Sequence, residues 1–474
     1  MSDSRPTLSL NARFVTGSTM RHVVVMTLTG SVGLVALFAV DLADMYFISL
    51  LGEVEVAAAV GYAGSVLFFT VAIGLGFGIA ASALVARAIG AGEHEKARLL
   101  CTNSLIFAGV LSCVLAVITW YLIPLLLSLL GAEGRAHELG TSYLQIIIPT
   151  MPAMTIGISS SAILRALGDP KRSMYVTLVG GAVNAVLDPI LIFWAGLGLD
   201  GAAYASASAR IAVIGIGLYA VARIHGMICR PNFNHFRIDV PAISSIALPA
   251  ILTNVATPVG NAYVTAVIAG YGDGPVAGWA VVGRLIPVAF GVVFALSGSI
   301  GPILGQNLGA LRYDRVDRAI TDALVFTAIY VGVIWVLLAL GDEYISAAFG
   351  LSGSAAEMVS LFCEWLSPAF AFLSALFIAN AAFNNLGRPH YSALFNWARA
   401  TIGTIPFVYV GSLIAGAPGA MAGNMIGGLL VGIVAIWACY RLVASLAERH
   451  AGLDKDAIPL QRRFPLWPFS TLRG

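Results

Sequence analysis

Charge is what this sequence has least of. Asp, Glu, Lys and Arg together make up 11% of its 474 residues, against 59% hydrophobic residues and a mean hydropathy of +0.89. A water-soluble globule of this length needs far more polar surface, so that class is excluded. Cysteine is scarce as well. The five present (Cys101, Cys113, Cys229, Cys363 and Cys439) show no Cys-x-x-Cys and no Cys/His spacing that suits a metal, which excludes a disulfide framework or a zinc module. A net charge of +2 indicates no nucleic-acid surface. The first twenty residues hold no apolar core before a cleavage site, so no signal peptide is expected. No nucleophile elbow, phosphate loop or His/Asp cluster supports an enzyme, and the longest connection, around 225–242, is too short to fold alone.

What is present is apolar sequence in lengths that span a bilayer. Twelve such runs can be read, at about 23–50, 55–85, 99–130, 139–163, 173–196, 201–224, 243–270, 275–306, 320–341, 357–384, 391–415 and 419–446. Basic residues then set the orientation. Of 26 Lys and Arg, 22 fall on one side: in the N-terminal segment, after the even-numbered helices and in the C-terminal tail. Arg135 alone falls on the other side, and Arg210, Arg284 and Arg399 lie inside helices. The positive-inside rule therefore predicts an inner-membrane, multi-pass protein with an even helix count and both termini cytoplasmic.

The chain also repeats itself. An offset of 219 positions brings Gly64 onto Gly283, Gly90 onto Gly309, Gly131 onto Gly350, Pro149 onto Pro368, Gly168 onto Gly387 and Pro170 onto Pro389. Glycine and proline mark turns and close backbone approach, so a shared offset predicts two halves with one helix plan. The expected organisation is an N-terminal lobe over 1–225, an inter-lobe linker over 226–242, a C-terminal lobe over 243–446 and a tail over 447–474. In so hydrophobic a chain, two such halves point to a transporter with its substrate site between them.

Ionisable groups in the spans are the first place to look for function, because each costs several kcal/mol unless paired, hydrated or neutralised. Asp41 and Asp44 lie three residues apart in helix 1, and Asn184 and Asp188 share a face of helix 5. At helical rise, Asp44 lies about 12 Å inside the outer edge, Asp188 roughly 10 Å, Tyr143 about 9 Å and Ser206 about 8 Å. Two carboxylates, an amide, a hydroxyl and a phenol at one depth suit the binding of a proton or of Na⁺. Paired acids withdrawn from water load and release a proton as a unit. The competing readings are that Asp188 only caps or kinks helix 5 before Pro189, and that Asp41 and Asp44 line an aqueous vestibule. The second half does not repeat the acids: Asp44 maps to Tyr263, Asn184 to Gly403 and Asp188 to Phe407. Glu364 reads as rim. Arg210 is placed to pair with an acid or orient its helix face, while Arg284 and Arg399 have no sequence-local acid.

At these residues the chain resembles the multidrug and toxic compound extrusion (MATE) family. The resemblance runs from helix 1 to about residue 446. It is carried by Leu42-Ala-Asp44-Met-Tyr-Phe in helix 1, Gly90-Ala-Gly92-Glu-His-Glu-Lys after helix 2, Leu164-Arg-Ala-Leu-Gly168-Asp-Pro170 before helix 5, Asn184 to Pro189 within it, and Gly201-Ala-Ala-Tyr-Ala-Ser206 in helix 6. In the second half Gly305-Gln-Asn-Leu-Gly309 and Asn385-Leu-Gly387-Arg-Pro389 occupy the equivalent loops. It implies an all-α polytopic membrane protein with twelve transmembrane helices in two pseudo-symmetric six-helix lobes. It also implies an exporter driven by exchange for H⁺ or Na⁺, with no other cofactor. The family's ion residues fall on Asp44, Tyr143, Asn184 and Asp188, and its helix 6 threonine on Ser206; Na⁺, where used, would be held by Asp44, Asn184, Asp188 and Ser206. The C-lobe acids of one branch have no counterpart, which implies a DinF-like, N-lobe-coupled member. Helix 1 carries Thr29-Gly30-Ser31 in place of the usual early proline. The major facilitator fold fits poorly, since the helix 2–3 loop lacks its basic signature and no long central loop is present.

The expected activity is therefore multidrug efflux: antiport of small amphipathic, mostly cationic organic compounds by a monomer in the lipid bilayer, coupled through Asp44 and Asp188 with Asp41 nearby. The alternative is a flippase for a lipid-linked or amphiphilic precursor, for which Arg210, Arg284 and Arg399 are candidate linings.

Overall fold

Long apolar runs punctuated by glycine and proline form long helices separated by tight turns. A computed structural model describes residues 12–51 and 53–453, and every regular element among them is helical. Arg5, and the expected tail from residue 454 on, lie outside the described residues.

The chain divides into two compact units, the first holding residues 28–255 together with Arg13 and the second residues 14–27 and those from 256 on. Helix α1 (Thr19–Ser49) contributes residues to both. The first unit continues with α2 (Val54–Gly90), α3 (His94–Leu129), α4 (Gly134–Ile147), α5 (Met151–Ala166), α6 (Pro170–Pro189) and α7 (Gly198–Tyr219). Helix α8 (Phe233–Ala269) again supplies residues to both units. It begins inside the stretch expected as a linker, so the connection after α7 is shorter than 226–242. The second unit holds α9 (Asp273–Gly309), α10 (Tyr313–Ala348), α11 (Ser354–Leu361), α12 (Phe370–Asn385), α13 (Pro389–Ala400) and α14 (Ile405–Leu453).

The 219-residue repeat is visible element by element. Helices α2 and α9 end at Gly90 and Gly309, and α5 and α12 at Ala166 and Asn385. The turns that follow α5 and α12 use Gly168 (φ 75°) and Gly387 (φ 78°), a left-handed conformation that a side chain disfavours. Pro170 and Pro389 then open α6 and α13, where a missing N–H costs nothing. Two spans expected as single helices are interrupted. Helix 4 (139–163) breaks at a 3₁₀ turn, Ile148–Thr150, and helix 10 (357–384) at a π turn, Phe362–Leu366, followed by a 3₁₀ turn, Ser367–Ala369. Pro149 and Pro368, equivalent in the repeat, lack the donors that continuous helices would require.

Among the described residues, eleven helical stretches are long and apolar enough to cross a membrane. The last, Pro389–Ala451, contains two of the twelve expected spans. It breaks at Ala415 (φ −140°) and Gly416 (φ 60°). A Cβ added at Gly411 would stand 2.1 Å from the Gly419 carbonyl oxygen, one at Gly423 would stand 2.1 Å from that of Phe407, and one at Gly427 would stand 1.5 Å from that of Gly403. These pairs run antiparallel about residue 415, so the chain doubles back there and the two legs touch backbone to backbone. That contact is open only to glycine.

Gly427→Val is accordingly expected to force the legs apart and cost at least about 1–3 kcal/mol, the usual range for overpacking. Gly61→Ala, where nothing lies within 4 Å of the new methyl, should be neutral or slightly stabilising. Thermal unfolding of the two purified variants in detergent checks this, and equal melting temperatures would overturn the hairpin.

Candidate functional site

Four elements of the first unit bring the site together. Helix α6 starts cleanly: Asp169 caps it by accepting from the Arg172 N–H at 3.2 Å, and Pro170 follows at the first helical position. It ends at Pro189, after which the backbone widens into a π turn, Ile190–Trp194. Asp188 is fully buried one residue before that change of pitch. Helix α7 packs tightly on this end, since a Cβ at Gly201 would stand 2.6 Å from the Leu191 carbonyl, and one at Gly180 of α6 would stand 2.5 Å from Val213. Small residues at these crossings let the helices approach and carry Ser206 and Arg210 to the same region.

The carboxyl groups of Asp44 and Asp188 interact directly, side chain to side chain. Asn184 Nδ2 donates to Asp188 Oδ1 at 3.3 Å, one turn back on the same helix. Buried Tyr143, from α4, has its hydroxyl beside Ser206 and senses the charges of Asp44, Asp188 and Arg210. Asp41 lies beside Asp44 on α1 but is exposed. The six residues singled out in the sequence are thus linked as neighbours: Asp44 with Asp188, Asn184 with Asp188, Tyr143 with Ser206 and within range of both acids, and the exposed Asp41 beside Asp44.

The decisive feature is what the carboxyls lack. Asp44 Oδ1 and Asp188 Oδ2 are buried with no hydrogen-bond partner. Two ionised carboxylates held together out of water repel strongly, and each orphaned oxygen adds a desolvation cost. A proton or a small cation between them removes both penalties. The donors available (two carboxyls, an amide, a hydroxyl and a phenol) are all hard oxygen ligands apart from the amide nitrogen, which suits H⁺ or Na⁺ and not a soft transition metal. No group of three or more His, Cys, Asp or Glu forms a metal cluster among the described residues.

Arg210 does not pair with an acid. Its Nη1 donates to the Ile147 carbonyl and to Thr150 Oγ1, each at 3.3 Å. At the interruption between α4 and α5 the Met151 N–H turns to the Ile148 carbonyl, and the Ile147 carbonyl accepts from the Thr150 hydroxyl at 2.6 Å as well as from Arg210. In the second unit Arg399 donates to Thr257 Oγ1 at 2.9 Å. Glu364 is exposed and receives the Trp365 indole N–H at 3.1 Å. Two buried acids escaped the sequence reading: Asp322, two residues inside the start of the expected span 320–341 and bound by Thr19 and Arg318, and Asp342, one residue beyond its end and bound by Ser360. Helix α10 runs past 320–341 at both ends, so both acids lie well within it.

Asp169, outside the spans, is a structural acid. Burial works against its charge, but hydrogen bonds from His225 (3.0 Å) and from the Arg172 side chain and backbone outweigh it and hold its carboxyl below the usual range. A carboxyl depressed in the folded state contributes stability that is present above its ordinary pKa and lost as pH falls through the folded value. Asp169→Asn keeps a capping oxygen but removes the charge that receives the Arg172 and His225 side chains, and should therefore cost about 1 kcal/mol at neutral pH. The gap in melting temperature to the parent should narrow below the ordinary carboxylate range. A gap independent of pH would assign the effect to packing.

The MatE family model matches residues 31–190 and 249–410. The chain is 29% identical over 439 residues, 91% of this chain and 96% of the other, to an FAD transporter of Shewanella oneidensis. It is 22% identical over 413 residues, 86% of this chain and 91% of the other, to the multidrug export protein MepA of Staphylococcus haemolyticus. Among solved structures, a MATE transporter of Vibrio cholerae is similar with a TM-score of 0.83 at 23% identity, covering 91% of this chain and 97% of that one.

Proposed function

Because the chain belongs to the MatE family of membrane transporters, we propose that it is a secondary antiporter expelling amphipathic organic compounds in exchange for H⁺ or Na⁺, with Asp44 and Asp188 as the ion-carrying pair. One observation carries the reading: two interacting carboxyls, each with a buried oxygen that has no donor. In the empty state the pair is charged and self-repelling. Uptake of H⁺ or Na⁺ neutralises it, Asn184 orients Asp188, and Tyr143 and Ser206 supply further oxygens. Asp44 moves with α1 and Asp188 is anchored at the π turn, so ion binding draws the two helices together. Export follows when ion and cargo prefer different states of that helix by a few kcal/mol. Coupling in the first unit, as in a DinF-like member, is supported by Tyr263 and Phe407 standing in the second where Asp44 and Asp188 stand in the first. The basic residues after even-numbered helices support an inner-membrane location with cytoplasmic termini.

Cargo admits two readings. The exposed Asp41 and the multidrug relative support mostly cationic compounds. The FAD transporter, similar over 91% of this chain, supports an anionic one, and a specific feature of α9 favours it, as developed below.

Everted vesicles under separate proton and sodium gradients test the coupling. Asp44→Asn and Asp188→Asn are each expected to lower gradient-driven accumulation of a fluorescent dye at least about tenfold, with protein levels unchanged. Only one of the two gradients should drive the parent protein. Full accumulation in both variants would remove the ion-pair mechanism and leave the fold intact.

A further inference from the structure

Arg284 has no explained role. It lies eleven residues from the Asp273 end of α9, about 16 Å along the helix and so near the middle of a hydrocarbon core roughly 30 Å thick. The side chain is exposed, and no hydrogen bond or ion pair joins it to any described residue. The other two intramembrane arginines are buried or half-buried and tied to carbonyl or hydroxyl oxygens. An unpaired guanidinium at this depth cannot face lipid, and a helix end is too distant for snorkelling.

The surface around it is not a lipid surface either. The exposed positions of α9 over this stretch are Asp273, Ala277, Ala280, Gly283, Arg284 and Val288, spaced to form one stripe. On α10 the exposed stripe reads Ile329, Val333, Val336, Leu337, Leu340 and Tyr344, the bulky apolar face that acyl chains solvate. Helix α9 instead offers small side chains that leave room beside the cation, and a methyl placed at Gly283 would meet nothing within 4 Å. The repeat sharpens the contrast: the position equivalent to Arg284 is Ser65, also exposed, so the cation was introduced on one half alone.

We infer that Arg284 recognises an oxyanion on the transported compound, so the cargo carries a phosphate or carboxylate on an otherwise amphipathic body. The inference rests on the antiporter reading above and names the class of its substrate. A planar guanidinium with five donors suits a bidentate oxyanion.

The test uses flavin mononucleotide and riboflavin, one ring system with and without a phosphate, and the cationic dye rhodamine 6G. In everted vesicles the parent protein is expected to accumulate the mononucleotide well above riboflavin. Arg284→Ala should lower mononucleotide accumulation at least about thirtyfold while rhodamine changes less than about twofold. Arg284→Lys should restore part of it, and Arg284→Glu should shift preference toward rhodamine. Mononucleotide transport unaffected by Arg284→Ala, or an equal loss of mononucleotide and rhodamine, would overturn the assignment. Fluorescence-quench titration of purified protein separates this from a failure of antiport: binding weakened by Arg284→Ala but not by Asp188→Asn, with no gradient-driven uptake, keeps the anion site and removes the coupling. A lipid phosphate is the other source of such an anion. If phosphatidylglycerol raises the melting temperature through Arg284 and the mononucleotide does not compete with it, the cargo assignment fails.

Discussion

Two carboxyl groups that meet out of water without enough donors set the terms for the rest of this protein. In bulk solvent Asp44 and Asp188 would repel weakly and be screened; here each has a buried oxygen that nothing in its surroundings satisfies. Such an arrangement is stable only when something arrives to neutralise it, and the tenfold or hundredfold preferences that drive transport are of the size this penalty provides. The pair is also split between two elements of different kind. Asp44 rides on a long helix whose residues group with both units, whereas Asp188 is fixed beside Pro189 and a π turn.

The helix interruptions are what make that geometry available. A continuous helix over 134–166 would use the Ile147 carbonyl in its own ladder. At the 3₁₀ turn Ile148–Thr150 it accepts from the Thr150 hydroxyl and from Arg210 instead, and the arginine's charge is held near Tyr143 with no salt bridge to the acids among the described residues. The π turn after Asp188 follows Pro189 at the end of α6. Both of these irregularities coincide with proline, and both lie next to a polar group of the site.

Much of this was readable from residues alone, because the governing forces are local or compositional. Bilayer-length runs, the glycines at helix ends and the 219-residue offset predict twelve spans, and the antiparallel glycine contacts about residue 415 account for two of them inside one 63-residue stretch. Asp44, Asn184, Asp188, Tyr143 and Ser206 stood out because ionisable and hydrogen-bonding groups are rare at that depth. What was not legible depended on three-dimensional partners. Nothing near Arg210 in sequence points to a carbonyl sixty-three residues away, and Asp342 looks like a loop acid until α10 is seen to extend past it. Arg284 was visible as a charge, but whether it was paired or free is a property of the folded chain.

The repeat supplies the last argument, since symmetry makes differences informative. Where two halves share a helix plan, packing constraints at equivalent positions are similar, so a change of chemistry at one of them reflects what that half does. Asp44 is matched by Tyr263 and Asp188 by Phe407, so these paired acids have no counterpart in the second half; Arg284 is matched by Ser65, so an arginine is missing at that position of the first. Asn103 of α3 binds Asp239 at 2.7 Å within the first unit, and its counterpart Asp322 of α10 binds Thr19 within the second. There the polar link to the start of the other half's first helix is kept although donor and acceptor have exchanged places. A link preserved through such an exchange marks architecture. A charge present on one side only marks a difference in task, and the halves differ in this way at the paired acids of the first and at the exposed, unpaired Arg284 of the second.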